Sequence, residues 1–260
     1  VAAKDMIPLL EQWGVQPQDA TMIDVGCGEG GGVCAMYDSG MQCVGFDIEE
    51  HRVQMARAMQ GSRNIQWTLG DLYSSILPFS DRQYDLVVLH DVFEHLEEKH
   101  EVLEKLRRYM KPDGRLMITF PPYYSAYGAH QQLLNAPWTK FPFFHLLPFA
   151  LTKILPRIKG ESSRIVEEVQ KLGELRMGMR KFQQIAAHGA LKIVGKQAYI
   201  ISPNHIRFGL KPIPAGPIAE IPIIGEVVCT GVVYLLGKLR HLERSGTESA
   251  TESKDVMGDL

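Results

Sequence analysis

The sequence is poor in the features that would make it a secreted scaffold, a membrane span or a nucleic-acid binder. Its four cysteines, Cys27, Cys34, Cys43 and Cys229, include no C-x-x-C pair; this argues against a disulfide framework or a zinc ribbon and reads as reduced, cytoplasmic thiols. Charge of one sign is lacking too. With 28 Lys and Arg against 30 Asp and Glu the net charge is −2, which gives no overall field to gather nucleic acid, and none is expected as a partner. The most apolar stretch, Val227 to Leu236, falls short of the roughly 18 residues of a transmembrane helix. It follows Glu226 and is rich in β-branched residues, so it reads as a strand. No signal-peptide pattern opens the chain, and because its first residue is Val1 a preceding segment is left open. At 45% hydrophobic over 260 residues, the chain can bury a substantial core.

What is present begins at Met22-Ile23-Asp24-Val25-Gly26-Cys27-Gly28-Glu29-Gly30-Gly31, an apolar strand that runs into a glycine-rich turn. Glycines let backbone turn tightly and approach a ligand, and the helix that follows offers unpaired N–H groups. Gly26, Gly28 and Gly31 satisfy G-x-G-x-x-G, so the glycines alone leave dinucleotides and S-adenosylmethionine (SAM) both open. Asp24, two residues before the first glycine, extends the pattern to D-x-G-x-G-x-G.

Further acids recur at successive strand ends. Gln42 to Ile48 reads as a second strand ending in Asp47, about 20 residues past the glycines, where a carboxylate can accept from both ribose hydroxyls. Asn64 to Leu72 reads as a third, ending in Gly70-Asp71-Leu72; an acid there can accept from an adenine amino group. Tyr84 to Asp91 is a near-continuous apolar strand through His90, as expected for one buried on both faces of a parallel sheet. Helices are expected near 29–38, 50–60 and 95–110, and a fifth strand at 114–120 follows Lys111-Pro112-Asp113-Gly114. Such βαβ repetition implies a parallel sheet.

Over residues 20–122 these motifs resemble the class I SAM-dependent methyltransferases, and more narrowly the branch with Glu94-His95-Leu96 after the fourth strand, which includes quinone-pathway O-methyltransferases. The resemblance implies an α/β fold: a doubly wound, mostly parallel, seven-stranded Rossmann-like sheet with a helical insertion after the fifth strand. It implies SAM as cofactor, with Asp24, Gly26, Cys27, Gly28, Asp47, Ile48, Gly70, Asp71, Leu72 and His90 around it. Relatives of that branch place an acid-x-x-Glu-His cluster that can hold a divalent cation; Asp91-Val92-Phe93-Glu94-His95 is similar, but Asp stands in place of the first Glu and no distant ligand is evident, so no metal site is expected.

Past the fifth strand, Tyr123, Tyr124, Tyr127, His130 and Gln131 leave the carboxyl end of the sheet and are the substrate-binding candidates. Residues 138–157, apolar and interrupted by prolines, with Lys153, Arg157 and Lys159 in or beside them, read three ways: a lid over an apolar acceptor, a peripheral membrane contact, or a satellite core. Residues 162–188 carry helical spacing, 191–201 a sixth strand and 227–236 a seventh. The expected organisation is a core over 1–122, an insertion over 123–180, completion of the core over 181–242 and a disordered tail over 243–260.

The chemistry follows from charge flow. A sulfonium methyl moving to an acceptor oxygen needs alignment, exclusion of water and removal of a proton. His130 and His95 are the candidate bases, with Glu94 to orient an imidazole. The expected function is O-methylation of a small or amphipathic acceptor such as a sugar, phenol, quinone or lipid-linked intermediate. A non-catalytic SAM-binding protein is one alternative. An NAD-dependent reductase is the other, disfavoured because Asp24 and Asp71 would have no role in it.

Overall fold

The computed structural model describes residues 1–74, 82–147 and 160–239. The second half of the 138–157 stretch with Lys153 and Arg157, the neighbouring Lys159, and the tail 243–260 lie outside them.

Eight strands form one sheet: β1 (Thr21–Val25), β2 (Gln42–Asp47), β3 (Gln66–Leu69), β4 (Tyr84–His90), β5 (Met110–Phe120), β6 (Leu191–Ile201), β7 (Ile213–Pro214) and β8 (Gly231–Lys238). Their order is β3-β2-β1-β4-β5-β8-β6-β7. The first five pair in parallel, whereas β8 runs antiparallel to both β5 and β6. The doubly wound architecture is therefore as expected, with the two-residue β7 added at the edge beside β6.

Alternation in the central strands divides the core. Ile23, Val87 and Leu89 face one apolar layer with Leu103, Leu106 and Phe182, while Met22, Leu86 and Val88 face the other with Leu10, Val33 and Val53. The helices that supply these layers are α1 (Ile7–Gln12), α2 (Gly31–Asp38), α3 (Glu50–Met59), α4 (Lys99–Tyr109) and α6 (Met179–His188). With both faces covered, the middle strands have no place for a polar stripe.

Several expected boundaries move, each for a local reason. The helix anticipated over 95–110 becomes a 3-10 turn, Phe93–His95, followed by α4. Lys111 to Gly114 does not end an element; it lies within β5, where the pairing with β4 jumps from Tyr84↔Met110 to Leu86↔Arg115, a bulge that absorbs the turn-forming residues. The helical stretch 162–188 is two helices, α5 (Ser163–Leu175) and α6, parted at Arg176 with φ 44°. Buried Glu226 stabilises the second start by accepting from the N–H groups of Met179 and Arg180 at 2.9 and 2.7 Å, satisfying donors that a helix leaves open. The last strand begins at Gly231 because Ile224–Val228 forms a short helix, α7.

The segment after β5 has its own small core. Tyr123, Ala129, Leu134, Val166, Val169 and Leu172 are buried together, with Phe144 and Ile165 packed on them, so α5 is folded onto residues 123–147. In the described part of the apolar stretch, Phe141, Phe143, Leu146 and Leu147 stay exposed while Thr139 and His145 are buried. No helix among the described residues is long and apolar enough to cross a membrane.

Candidate active site

The carboxyl ends of β1 to β4 open into a cleft of about 1050 Å3. Every cofactor candidate lies on its wall: Asp24, Gly26, Cys27 and Gly28 from the first turn, Asp47 and Ile48 after β2, Gly70, Asp71 and Leu72 after β3, and His90 at the end of β4. This is where an open α/β sheet binds ligands. Gly26 requires both its φ of 83° and its missing side chain, because a Cβ would sit 2.3 Å from Val92. Gly30, at φ 81°, would drive a Cβ to within 2.4 Å of Trp67.

Asp47 knits the turn together. One carboxylate oxygen accepts from the Gly28 N–H at 2.8 Å and the other from the Glu49 N–H at 2.9 Å, leaving lone pairs on both oxygens for further donors. Asp71 accepts from the Tyr73 N–H at 2.9 Å. Asp24 differs: it is buried, one oxygen has no partner, and burial pushes its pKa up to about 7, opposed by His90 and reinforced by Asp47. The Cys27 thiol is raised as well, by burial first and then by the Asp24 and Asp47 carboxylates, so it is a packing group and no thiolate.

A second chamber of about 680 Å3 adjoins this cleft, and His90 and Asp91 belong to both walls. Asp91 holds φ 54°, a conformation uncommon outside glycine. Its carboxylate accepts from Thr119 Oγ1 at 2.9 Å and from Asn204 Nδ2 at 2.5 Å, and Thr119 Oγ1 also lies 2.8 Å from His90 Nδ1. Sequence spacing gave no hint of Thr119, Asn204, Tyr199 or His205 as chamber residues, because they come from distant segments that meet only when β8 and β6 close the sheet.

Of the insertion candidates, Tyr127 and His130 line this chamber. Tyr123, Tyr124 and Gln131 do not. Tyr123 is buried in the small core, with its carbonyl 2.6 Å from His145 Nε2; Gln131 is fully buried and donates to the Ala126 carbonyl at 2.7 Å; Tyr124 is exposed and packs edge-on against Tyr123.

His95, on the cleft side, and His130, on the chamber side, have ring centroids 5.3 Å apart. Beside them Glu94 is buried with neither carboxylate oxygen hydrogen-bonded, Oε1 lying 3.6 Å from His95 Nε2, and burial raises its pKa well above the usual range. Burial lowers that of His95, helped by His130, so its imidazole is neutral at neutral pH. Donor atoms of Glu94, His95 and His130 lie within 4.8 Å of one another, a set of one oxygen and two nitrogens that fits a divalent cation. Asp91, which the sequence spacing put beside Glu94 and His95, is outside this cluster, held instead by Thr119 and Asn204.

A parallel sheet with a glycine-rich turn after β1, acids at the ends of β2 and β3 and a C-terminal antiparallel strand inserted next to β5 is the arrangement of the class I SAM-dependent methyltransferases, to which this chain is similar. Residues 23–118 match the methyltransferase domain profile. An uncharacterized methyltransferase of Mycobacteroides abscessus is 28% identical over 51% of this chain and 54% of its own length. A probable tocopherol O-methyltransferase of Oryza sativa is 31% identical over 39% of this chain and 30% of its own, and norajmaline N-methyltransferase of Rauvolfia serpentina 28% identical over 37% and 34%. The chain thus spans about half or less of the length of these relatives. Among solved structures, magnesium protoporphyrin IX methyltransferase from Synechocystis with bound SAH superposes with a TM-score of 0.55 at 16% identity, covering 91% of this chain and 81% of that one; at that identity it shows the fold.

Proposed function

We propose that the protein transfers the SAM methyl group to a hydroxyl of a small or amphipathic, uncharged acceptor. The observation that carries this reading is the pair of adjoining cavities, one built from the family's cofactor residues and one walled by Tyr127, His130 and apolar side chains such as Phe120 and Val232. No lysine or arginine is among the described residues that line the second chamber, which disfavours a phosphate or carboxylate acceptor. Relatives named for N- and for O-methylation both occur, and an imidazole on the chamber wall favours the hydroxyl, whose proton must leave.

In this scheme Asp47 holds the ribose, Asp71 the adenine amino group, and the turn from Gly26 the methionine end. His130 takes the acceptor proton as the oxygen lone pair attacks the methyl carbon; the carbon–sulfur bond breaks and its electrons stay on sulfur as a neutral thioether. A second reading comes from Glu94, buried without a hydrogen bond beside two imidazoles: a divalent cation held by Glu94, His95 and His130 would supply Lewis acidity to an acceptor oxygen.

Incubation with methyl-labelled SAM and fractionated small-molecule and lipid extracts tests the proposal. Label should enter an uncharged extractable product and gain 14 Da over its precursor by mass spectrometry, the mass of one CH2. Transfer into no fraction, with SAM bound, would favour a non-catalytic SAM-binding protein. Loss of transfer in a chelator, restored by a divalent ion, would favour the cation reading.

A further inference from the structure

The base on the chamber wall is not held by its own segment alone. His130 sits at φ 56° just before the 3-10 turn Gln131–Leu133, a backbone conformation that persists in a non-glycine residue only where the surroundings enforce it. Its Nδ1 lies 3.1 Å from Oε1 of Glu168, 38 residues away on α5. An ionised carboxylate has only acceptor sites, so Nδ1 must carry the proton and Nε2 is left with the lone pair.

The helix that brings Glu168 is itself part of the cofactor cleft, whose wall includes Arg164, Glu168 and Lys171. Two ion pairs tie it down: Arg164 to Glu49, two residues past Asp47, and Lys171 to Glu97 at 2.9 Å. The small core of Val166, Val169 and Leu172 holds its other face. One element therefore both covers the cofactor side and reaches the residue that faces the acceptor.

From this juxtaposition we infer that Glu168 is a positioning residue: it fixes the ring and tautomer of His130, so that the base is complete only while α5 is docked over the cofactor cleft. The inference rests on the reading of His130 as the base. Titratable groups beside the His130 ring are Glu168 from α5 and His95 and Glu94 from the β4–α4 connection. Among these, Glu168 makes the hydrogen bond to Nδ1, and it alone can set the tautomer.

Long-range imidazole 15N NMR of the whole chain, taken above the pH at which imidazoles protonate, reads the tautomer directly. His130, assigned by its loss in H130N, should carry its proton on Nδ1, and in E168A the proton should move to Nε2. In parallel, initial rates with methyl-labelled SAM and the extract fraction active with the unaltered protein are compared for E168Q, E168D, H130A and H130A/E168Q, with SAM affinity as the control for folding. Glu168→Gln should slow transfer by about tenfold or more, a share of what general-base catalysis contributes, Glu168→Asp should recover part of it, and neither should change SAM affinity by more than about twofold. In the H130A background Glu168→Gln should cost nothing further, since it acts through His130. An unchanged tautomer in E168A, or an equal loss from E168Q with and without His130, overturns the inference while leaving His130 as the base. A full rate in H130A overturns the reading of His130 itself, and the inference with it.

Discussion

The two cavities are built in opposite ways. The first cleft takes its defining residues from the turns that follow three consecutive strands, at Asp24 to Gly30, Asp47 to Glu49 and Gly70 to Leu72, each a stretch of contiguous sequence. The acceptor chamber draws on α1, the ends of β4 and β5, the insertion, the loop after β6 and the start of β8. A site made of local turns can be read from local patterns; a site made of distant segments exists only once the sheet has closed. On the proposed reading, the cofactor is met by short-range geometry and the acceptor by tertiary assembly.

That division can be broken from either side. The largest effect is expected in the chamber: His130→Ala should lower transfer by about 10²–10⁴-fold, the contribution of a general base, with SAM affinity within about twofold by calorimetry. A parallel fall in SAM affinity would mean that the two cavities are not separable at His130. Next comes Asp24, through pH. Its pKa lies near 7 in the folded chain against 3.8 ordinarily, so the folded state holds this proton more tightly than the unfolded one; the resulting stabilisation is complete below pH 3.8 and is lost as pH rises towards 7. At 1.36 kcal/mol per unit that is at most about 4 kcal/mol. Urea unfolding of cofactor-free Asp24→Asn should show a flatter pH dependence over that window, and a slope equal to that of the parent would refute the assignment.

Asp47→Ala should weaken SAM binding by about 1–3 kcal/mol, the scale for leaving polar partners unmet, because it removes the ribose acceptor and frees the Gly28 and Glu49 N–H groups together. Equal affinity by calorimetry would remove Asp47 from the cofactor site. Asp71→Ala is expected to be the mildest, about 1 kcal/mol in SAM affinity, with the melting temperature unchanged, since this acid sits at a strand end with a single N–H bonded to it. A drop in melting temperature without selective loss of SAM would make its role structural.

How much the sequence revealed follows the same line. Buried strands such as Leu86 to Leu89 announce themselves as apolar runs, and the acids after β2 and β3 fall at spacings that the βαβ unit dictates. The insertion obeyed no such period. Tyr123 and Gln131 looked like ligand contacts because polar and aromatic side chains at a strand end often are, yet Tyr123 fills the small core beneath α5 and Gln131 bonds a carbonyl inside its own loop. Glu168 was hidden for a different reason: on sequence it is one of several acids in an amphipathic helix, and only the fold of α5 back over the cleft brings it to His130. Asp91, whose spacing to Glu94 and His95 is similar to a metal-binding pattern, holds φ 54° and has its carboxylate bonded to Thr119 and Asn204.

The place of β8 in the sheet bears on how the molecule is made. This strand, near the end of the described chain, lies between β5 and β6, pairing with β6 from Gly231 to Lys238 and with β5 from Val232 to Gly237. As a nascent chain leaves the ribosome, β1 to β5 can assemble early from neighbouring segments, but β5 then carries an open edge until residue 238 has been synthesised. An unpaired edge of apolar strand is a template for pairing with other chains. The same late strand supplies Val232 and Val233 to the acceptor chamber, so a product cut short before Gly231 would lack both its protection from aggregation and one wall of the chamber, while retaining every residue of the cofactor turns.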